Sequence, residues 1–160
     1  MKTTNNLMSV REVRLSYIPD SGILKRKNIG SAHDAFIQLL EGYDKDTIGM
    51  QEQFVVLLLN RANKALGIYK VSTGGITGVM VDIRLVMVAA LKSLATGIII
   101  SHNHPSSNMV PSIQDVELTA RIDKACKLLD IELLDHIIVT SSHSFYSFAN
   151  EGLMSQLHAN

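Results

Sequence analysis

The sequence predicts an α/β domain, a mixed β-sheet flanked by helices, and three observations carry that prediction. Segments with a two-residue or continuous apolar pattern alternate along the chain with segments of helical period, as layered α/β folds require. Two of the strand candidates, "QFVVLLLN" and "ALGIYKVST", are joined only by a short polar turn, so part of the sheet is antiparallel. The chain has 160 residues, 46% hydrophobic and 19% charged, which suits one globular domain that buries a core without disulfide staples.

The elements follow in order. Residues 1–9 are polar and expected to be disordered, the domain to occupy 10–154, and the tail 155–160 to fray. Val13, Leu15 and Tyr17 share one face of a two-residue period and predict a strand ending before Pro19. "SAHDAFIQLLEG" reads as a helix, with Ser31 as N-cap, Asp34 three residues on and Gly42 at its close. "QFVVLLLN" is a strand buried on both faces, and "NRANK" turns it into the second strand. "GGITG" is a flexible connection or a rim to a site, with equal weight for each. No lysine follows at the spacing of a phosphate loop. From Asp82, the stripe Ile83, Val86, Met87, Ala90, Leu91 and Leu94 predicts a helix ending at Gly97. "IIIS" is a short buried strand. Leu118, Ile122, Ala125 and Leu129 mark another helix, and "LLDHIIVT" and "SFYSF" are two closing strands.

Composition narrows the function. Fifteen basic and fifteen acidic residues cancel, leaving no general field to draw in nucleic acid or anionic membrane. The densest basic run, "KRK" at 25–27, reads as a solvated turn. Cys126 is the only cysteine, which excludes an internal disulfide and a cysteine-rich zinc set; its place in a helical pattern marks it as a small apolar residue. No apolar run is long enough to cross a bilayer, and "MKTTNNLMSV" lacks the apolar centre of a signal peptide. A reducing, cytoplasmic setting is expected.

The chemistry gathers in "SHNHPSSNMVPSIQD", residues 101–115. Side chains two apart on a strand point the same way, so His102 and His104 can present both imidazoles to one point. They follow a buried strand, beyond whose carboxyl end α/β sheets bind ligands. Asp115 falls in the first turn of the next helix, leaning towards its apolar stripe. Two imidazoles and a carboxylate with a free fourth position describe a catalytic zinc site. A polar strand end also accounts for the two histidines. Ser112 with Asp115 makes a capping pair that needs no metal, and the helix dipole favours Asp115 in a first turn. On geometry alone the two readings balance. A zinc deaminase would need a cysteine pair, whereas the non-heme iron triad uses these same residue types. His136 in "LDHIIV" is read as a hydrogen-bonded core residue ahead of a partner to a ligand, and His33 and His143 as surface residues.

"HNHPSSNMVPSIQD" resembles the JAMM metalloprotease signature: His-x-His, ten residues, then Asp, with Ser three before the Asp. It is most similar to the RadC branch of that JAMM/MPN (JAB) family. "EQFVVLLLNRANKALGIYKVSTGGITG" resembles the strand pair ahead of the site, and "DIELLDHIIVTSSHSFYSFANEGLM" the C-terminal end. The likeness covers about residues 10–154. It implies an MPN-type, cytidine-deaminase-like layering, and a zinc ion with its water held by His102, His104 and Asp115. It implies that Glu52 is the general base that later hands its proton to the leaving amine. Ser112 would steady the oxyanion while capping its helix. Residue patterns alone do not select Glu52 over Glu41.

Two departures stand out. Ser107 occupies a place where the family usually has Gly, and a positive φ there would strain it or pass the turn to Asn108. Full-length RadC proteins also carry an N-terminal helix-hairpin-helix segment, which this chain is expected to start too late to contain; DNA binding stays possible but is not supported by the net charge, and affinity attributed to that segment cannot be assumed. The leading expectation is zinc-dependent hydrolysis of a peptide, isopeptide or related amide bond in an unidentified peptide or protein substrate. The alternatives are a DNA-repair accessory module with a structural metal, and a hydrolase of nucleotides or small amides.

Overall fold

A computed structural model describes residues 28–75 and 78–158. The strand expected around Val13, the basic run at 25–27 and the polar first nine residues lie outside the described residues.

Ser31 starts the first helix, α1 (Ala32–Leu39), by accepting the Asp34 N–H at 3.1 Å on its hydroxyl oxygen. A single tight turn, Leu40–Gly42, ends it. Gly42 is needed for a close approach, since a Cβ there would stand 2.5 Å from Ile68 Cγ2.

The apolar run becomes β1 (Gln53–Leu59), every residue of it buried. A turn at 60–64 leads into β2 (Ala65–Thr73), antiparallel to β1. On the other side of β1 lies β3 (Gly97–His104), also antiparallel to it. Helix α3 (Ile113–Leu128) returns the chain to β4 (Glu132–Thr140), which runs parallel to β3. The short β5 (Phe145–Ser147) closes the edge antiparallel to β4. The strand order is β2-β1-β3-β4-β5, a mixed sheet with helices on both faces.

Alternation along the strands divides the core. Phe54, Val56, Ile98, Ile100 and Ile138 face α3 and the preceding helix α2 (Ile83–Lys92). Val55, Leu57, Leu59, Ile99 and Ile137 face α1 and Tyr43. Cys126 lies fully buried in the first cluster, as its pattern suggested, and burial raises its thiol pKa to about 12. His33 and His143 are exposed.

Two boundaries differ from expectation. Helix α2 ends at Lys92 with Ser93 as C-cap, not at Gly97. Leu94 takes the left-handed turn, at φ 57°. The Ala95 N–H then returns to Ala90 O at 2.9 Å and the Leu94 N–H to Leu91 O at 3.1 Å, the paired closure that usually falls to glycine. Leu91 and Leu94 consequently sit outside the buried stripe, half and three-quarters exposed. Among the described residues, positions 155–158 of the tail expected to fray belong to α4 (Leu153–His158). Met154 anchors it in the core, and His158 Nε2 lies 3.2 Å from Asp123 Oδ1. No helix among the described residues is long and apolar enough to cross a membrane.

Candidate metal centre

Strand β3 runs three residues beyond the expected "IIIS", so His102 and His104 are still part of it and point to one side. The next turn folds back through Ser107, whose N–H donates to His104 O at 3.0 Å. Ser107 has φ 61°. The position therefore does require the left-handed conformation, and Ser adopts it in place of its neighbour Asn108.

Ser112 then caps α3. Its hydroxyl accepts the Asp115 N–H at 3.1 Å and donates to Asp115 Oδ2 at 2.7 Å, while the Ser112 N–H also reaches that oxygen at 2.7 Å. The capping reading of this pair is correct. It does not compete with the site, because the capped carboxylate is also the one turned towards the histidines. Asp115 Oδ1 is 3.2 Å from His102 Nε2, and Asp115 Oδ2 is 3.7 Å from His104 Nε2. The two Nε2 atoms are 2.9 Å apart.

His102, His104 and Asp115 thus offer three ligand atoms lying within 4.8 Å of one another, the one such group among the described residues. Zinc–nitrogen bonds of about 2.0–2.1 Å in a tetrahedron place ligand atoms about 3.3 Å apart, so small side-chain adjustments would suit the ion. His104 Nδ1 lies 2.5 Å from Asn108 O, which can only accept, so that nitrogen carries a proton and Nε2 is left to face the site.

The electrostatics agree with a cation-binding position. Burial works to raise the Asp115 pKa, but hydrogen bonds from His102, His104 and Ser112 prevail and hold it far below the usual carboxylate range. His104 is raised, first by its hydrogen bond to Asp115 and against burial, with smaller help from Asn108 and from the charges of Asp115 and Glu52.

Glu52 lines the same cavity of about 410 Å³, with Phe54, Val79, Ser112 and Leu118. Register explains its presence: Phe54 pairs with His102, so Glu52, two residues earlier, falls beside His104. Its backbone N–H and carbonyl are both held by the glycine stretch after β2. The Gly74 N–H donates to Glu52 O at 2.7 Å, and the Glu52 N–H donates to Gly75 O at 3.3 Å. The glycine stretch is therefore both turn and rim: Gly78 lines the cavity, and a Cβ on Gly74 would collide with Gly78 O. Residues 76–77 lie outside the described residues.

One participant was missed in the sequence and another was ranked second. Asn103, between the histidines, points to the opposite face and is fully buried. It accepts the Gln53 N–H at 2.7 Å and donates to Ile48 O and Gln51 O at 2.6 and 2.9 Å, fastening the segment that leads into Glu52. Its alternation with two outward histidines was the available signal. His136 is buried as expected, but it also meets His102 Nδ1 at 2.8 Å, so the reading ranked second applies as well. Thr119, one helical turn after Asp115, meets the far side of His136 at 2.7 Å.

A family model described as a RadC-like JAB domain matches residues 29–153, which is most of the chain and all of the site. The chain belongs to the RadC-like JAB domain family. The RadC-like domain is 43% identical over 133 residues to a UPF0758 protein of Flavobacterium johnsoniae, covering 82% of this chain and 56% of that protein. It is 44% identical over 104 residues to one from Porphyromonas gingivalis, covering 65% and 46% respectively. With a UPF0758 protein of Aquifex aeolicus it shares 35% over 129 residues, covering 81% and 54%. The chain spans about half the length of these curated relatives. The mixed sheet between helices is consistent with the MPN layering that the resemblance implied.

Proposed function

We propose that this RadC-like domain is a zinc-dependent hydrolase that cuts a peptide, isopeptide or related amide bond. The observation that carries the reading is the convergence of His102, His104 and Asp115 in a cavity that Glu52 also lines. Three protein ligands leave a fourth position for water or substrate, as catalytic and not structural zinc sites do.

His102 and His104 would hold the ion through Nε2 and Asp115 through its carboxylate. When bound, zinc supplies a Lewis acid that makes water acidic near neutral pH and polarises a carbonyl oxygen. Glu52 accepts a proton from the attacking water and returns it to the departing amine nitrogen. The backbone clamp at Gly74 and Gly75 keeps its carboxylate on the site side of the sheet. Ser112, whose hydroxyl donates to Asp115 Oδ2 at 2.7 Å, would also hydrogen-bond the developing oxyanion. Phe54, Val79 and Leu118 give the cavity an apolar wall that limits bulk water. The expected cytoplasmic setting belongs to this reading, with its single buried thiol.

The test is metal content together with hydrolysis of amide and isopeptide substrates by wild type and Glu52→Gln. The expected result is about one zinc per chain in both proteins, with turnover lower by at least about 100-fold in the variant. Protein prepared without chelators that holds no stoichiometric metal would end the proposal. So would a Glu52→Gln variant that hydrolyses at the wild-type rate.

A further inference from the structure

A metal can bind His102 at Nε2 only if that nitrogen carries a lone pair, which requires the ring proton to sit on Nδ1. In free histidine the proton prefers Nε2, so the useful tautomer has to be imposed. The surroundings of His102 supply the means.

Three contacts lead away from the ring. His102 Nδ1 lies 2.8 Å from His136 Nε2, His136 Nδ1 lies 2.7 Å from Thr119 Oγ1, and Thr119 Oγ1 lies 2.6 Å from the backbone carbonyl of Asp115. The last contact sets the direction of the rest. A carbonyl only accepts, so the single hydroxyl proton of Thr119 points at Asp115 O. The hydroxyl oxygen must then accept from His136, which places the His136 proton on Nδ1 and leaves its Nε2 bare. That nitrogen in turn accepts from His102, which places the His102 proton on Nδ1. No other arrangement of neutral rings gives each of these three contacts one proton.

All three side chains are sealed from water: Thr119 and His136 are 0% exposed and His102 is 2% exposed. Phe148 stacks on His136 with ring centroids 4.6 Å apart.

We infer that Thr119 and His136 are positioning residues that set the tautomer of His102, and with it the affinity of the centre for metal. Helix α3 then controls two ligands from one turn: Asp115 presents its carboxylate to the site, and its carbonyl anchors the chain that orders His102. The inference rests on the metal-centre reading but is independent of whether the centre hydrolyses anything.

Two measurements test it. The first is ¹⁵N NMR of the imidazoles in wild-type protein stripped of zinc, at mildly alkaline pH. His102 and His136 are expected as Nδ1–H tautomers; an Nε2–H His102 would overturn the inference without any variant. The second is zinc affinity of wild type, Thr119→Val, Thr119→Ser and His136→Gln by chelator competition. Thr119→Val keeps the shape and removes the hydroxyl, and its affinity is expected to fall about 10- to 100-fold. Thr119→Ser keeps the hydroxyl and should stay near wild type, which a purely packing role for the Thr methyl would not give. His136→Gln should weaken binding as Thr119→Val does. A Thr119→Val protein that binds zinc as wild type does would refute the inference and leave the hydrolase proposal standing. A wild type that binds no zinc would remove both.

Discussion

Ser107 offers a test of the local energetics around the centre, because an L-residue is held at φ 61° between two of the three candidate ligands. The left-handed conformation costs an L-residue about 1–2 kcal/mol, and Ser107→Gly would remove that cost. Glycine also makes the unfolded chain more disordered, at about 0.4–1 kcal/mol. The lost contact is small, since Ser107 Oγ and Ser141 Oγ are 3.4 Å apart and exposed. The net expectation is a gain of about 0.5–1 kcal/mol, or about 1–4 °C in Tm for a domain of this size. Leu94→Gly is the companion, with the same strain at φ 57° at the end of α2. The two should add, because they share no partners. The assay is thermal unfolding at fixed zinc concentration, since ligand binding itself moves Tm. A rise for Leu94→Gly with a fall for Ser107→Gly would refute the reasoning. It would mean that the serine at 107 makes a contribution larger than its strain.

Asn103→Ala leaves the Gln53 N–H and the carbonyls of Ile48 and Gln51 without their partner, so a loss of about 2–4 kcal/mol is expected in denaturant unfolding. Hydrogen exchange should speed up at Gln53 first. Gly74→Ala forces a side chain against Gly78 O, and the displacement should reach Glu52 through the Gly74 N–H. Turnover is expected to fall about 10- to 100-fold with zinc content unchanged, and equal turnover would contradict the clamp. The raised pKa of His104 sets a pH dependence for metal uptake after chelation. Below that pKa zinc must displace a proton, so affinity should rise about tenfold per pH unit and level off above it. In the chelated protein the same shift has the opposite sign for stability. The His104 contribution is fully present below about pH 6.5, the unfolded value, and is lost as pH rises through the folded pKa. Titration calorimetry across pH and unfolding of the chelated protein read these two effects separately.

What could be read in the sequence was local. The buried run Phe54–Leu59, the capping pairs at Ser31 and Ser112 and the alternation through His102 and His104 depend on neighbours within a few residues, and all appear as expected. The end of α2 was misplaced because Leu94 takes a conformation that pattern reading assigns to glycine, and the nearest glycine was Gly97. The helix at 153–158 was not legible because it depends on burial of Met154 and on Asp123, more than thirty residues earlier. The candidate site divides in the same way. Its three proposed ligands lie in one short segment, whereas Glu52 and His136 reach them only through the pairing of β1 with β3 and of β3 with β4. Periodicity contains no information about that pairing. Family resemblance supplied Glu52, and the partner reading of His136 was ranked behind a core role because no pattern singled out His102 as its neighbour.

The three residues His102, Asn103 and His104 show why the pairing matters. A strand presents alternate residues to opposite faces, so a polar triplet at the buried centre of a sheet must satisfy two environments at once. On one face the histidines converge with Asp115 beneath α3. On the other, Asn103 fastens the segment that carries Glu52 into β1. The same three-residue stretch therefore sets the spacing of the candidate ligands and the entry of the candidate base. A one-residue slip of β3 would exchange those faces, turning both histidines towards the segment at 48–53 and leaving Asn103 in the cavity. Continuous apolar strands do not resist such a slip by burial alone, since both of their faces are buried. Here the three hydrogen bonds of Asn103 and the His102–His136–Thr119 chain are lost together if the register moves. The polar groups at the end of β3 thus specify the register on which the centre depends.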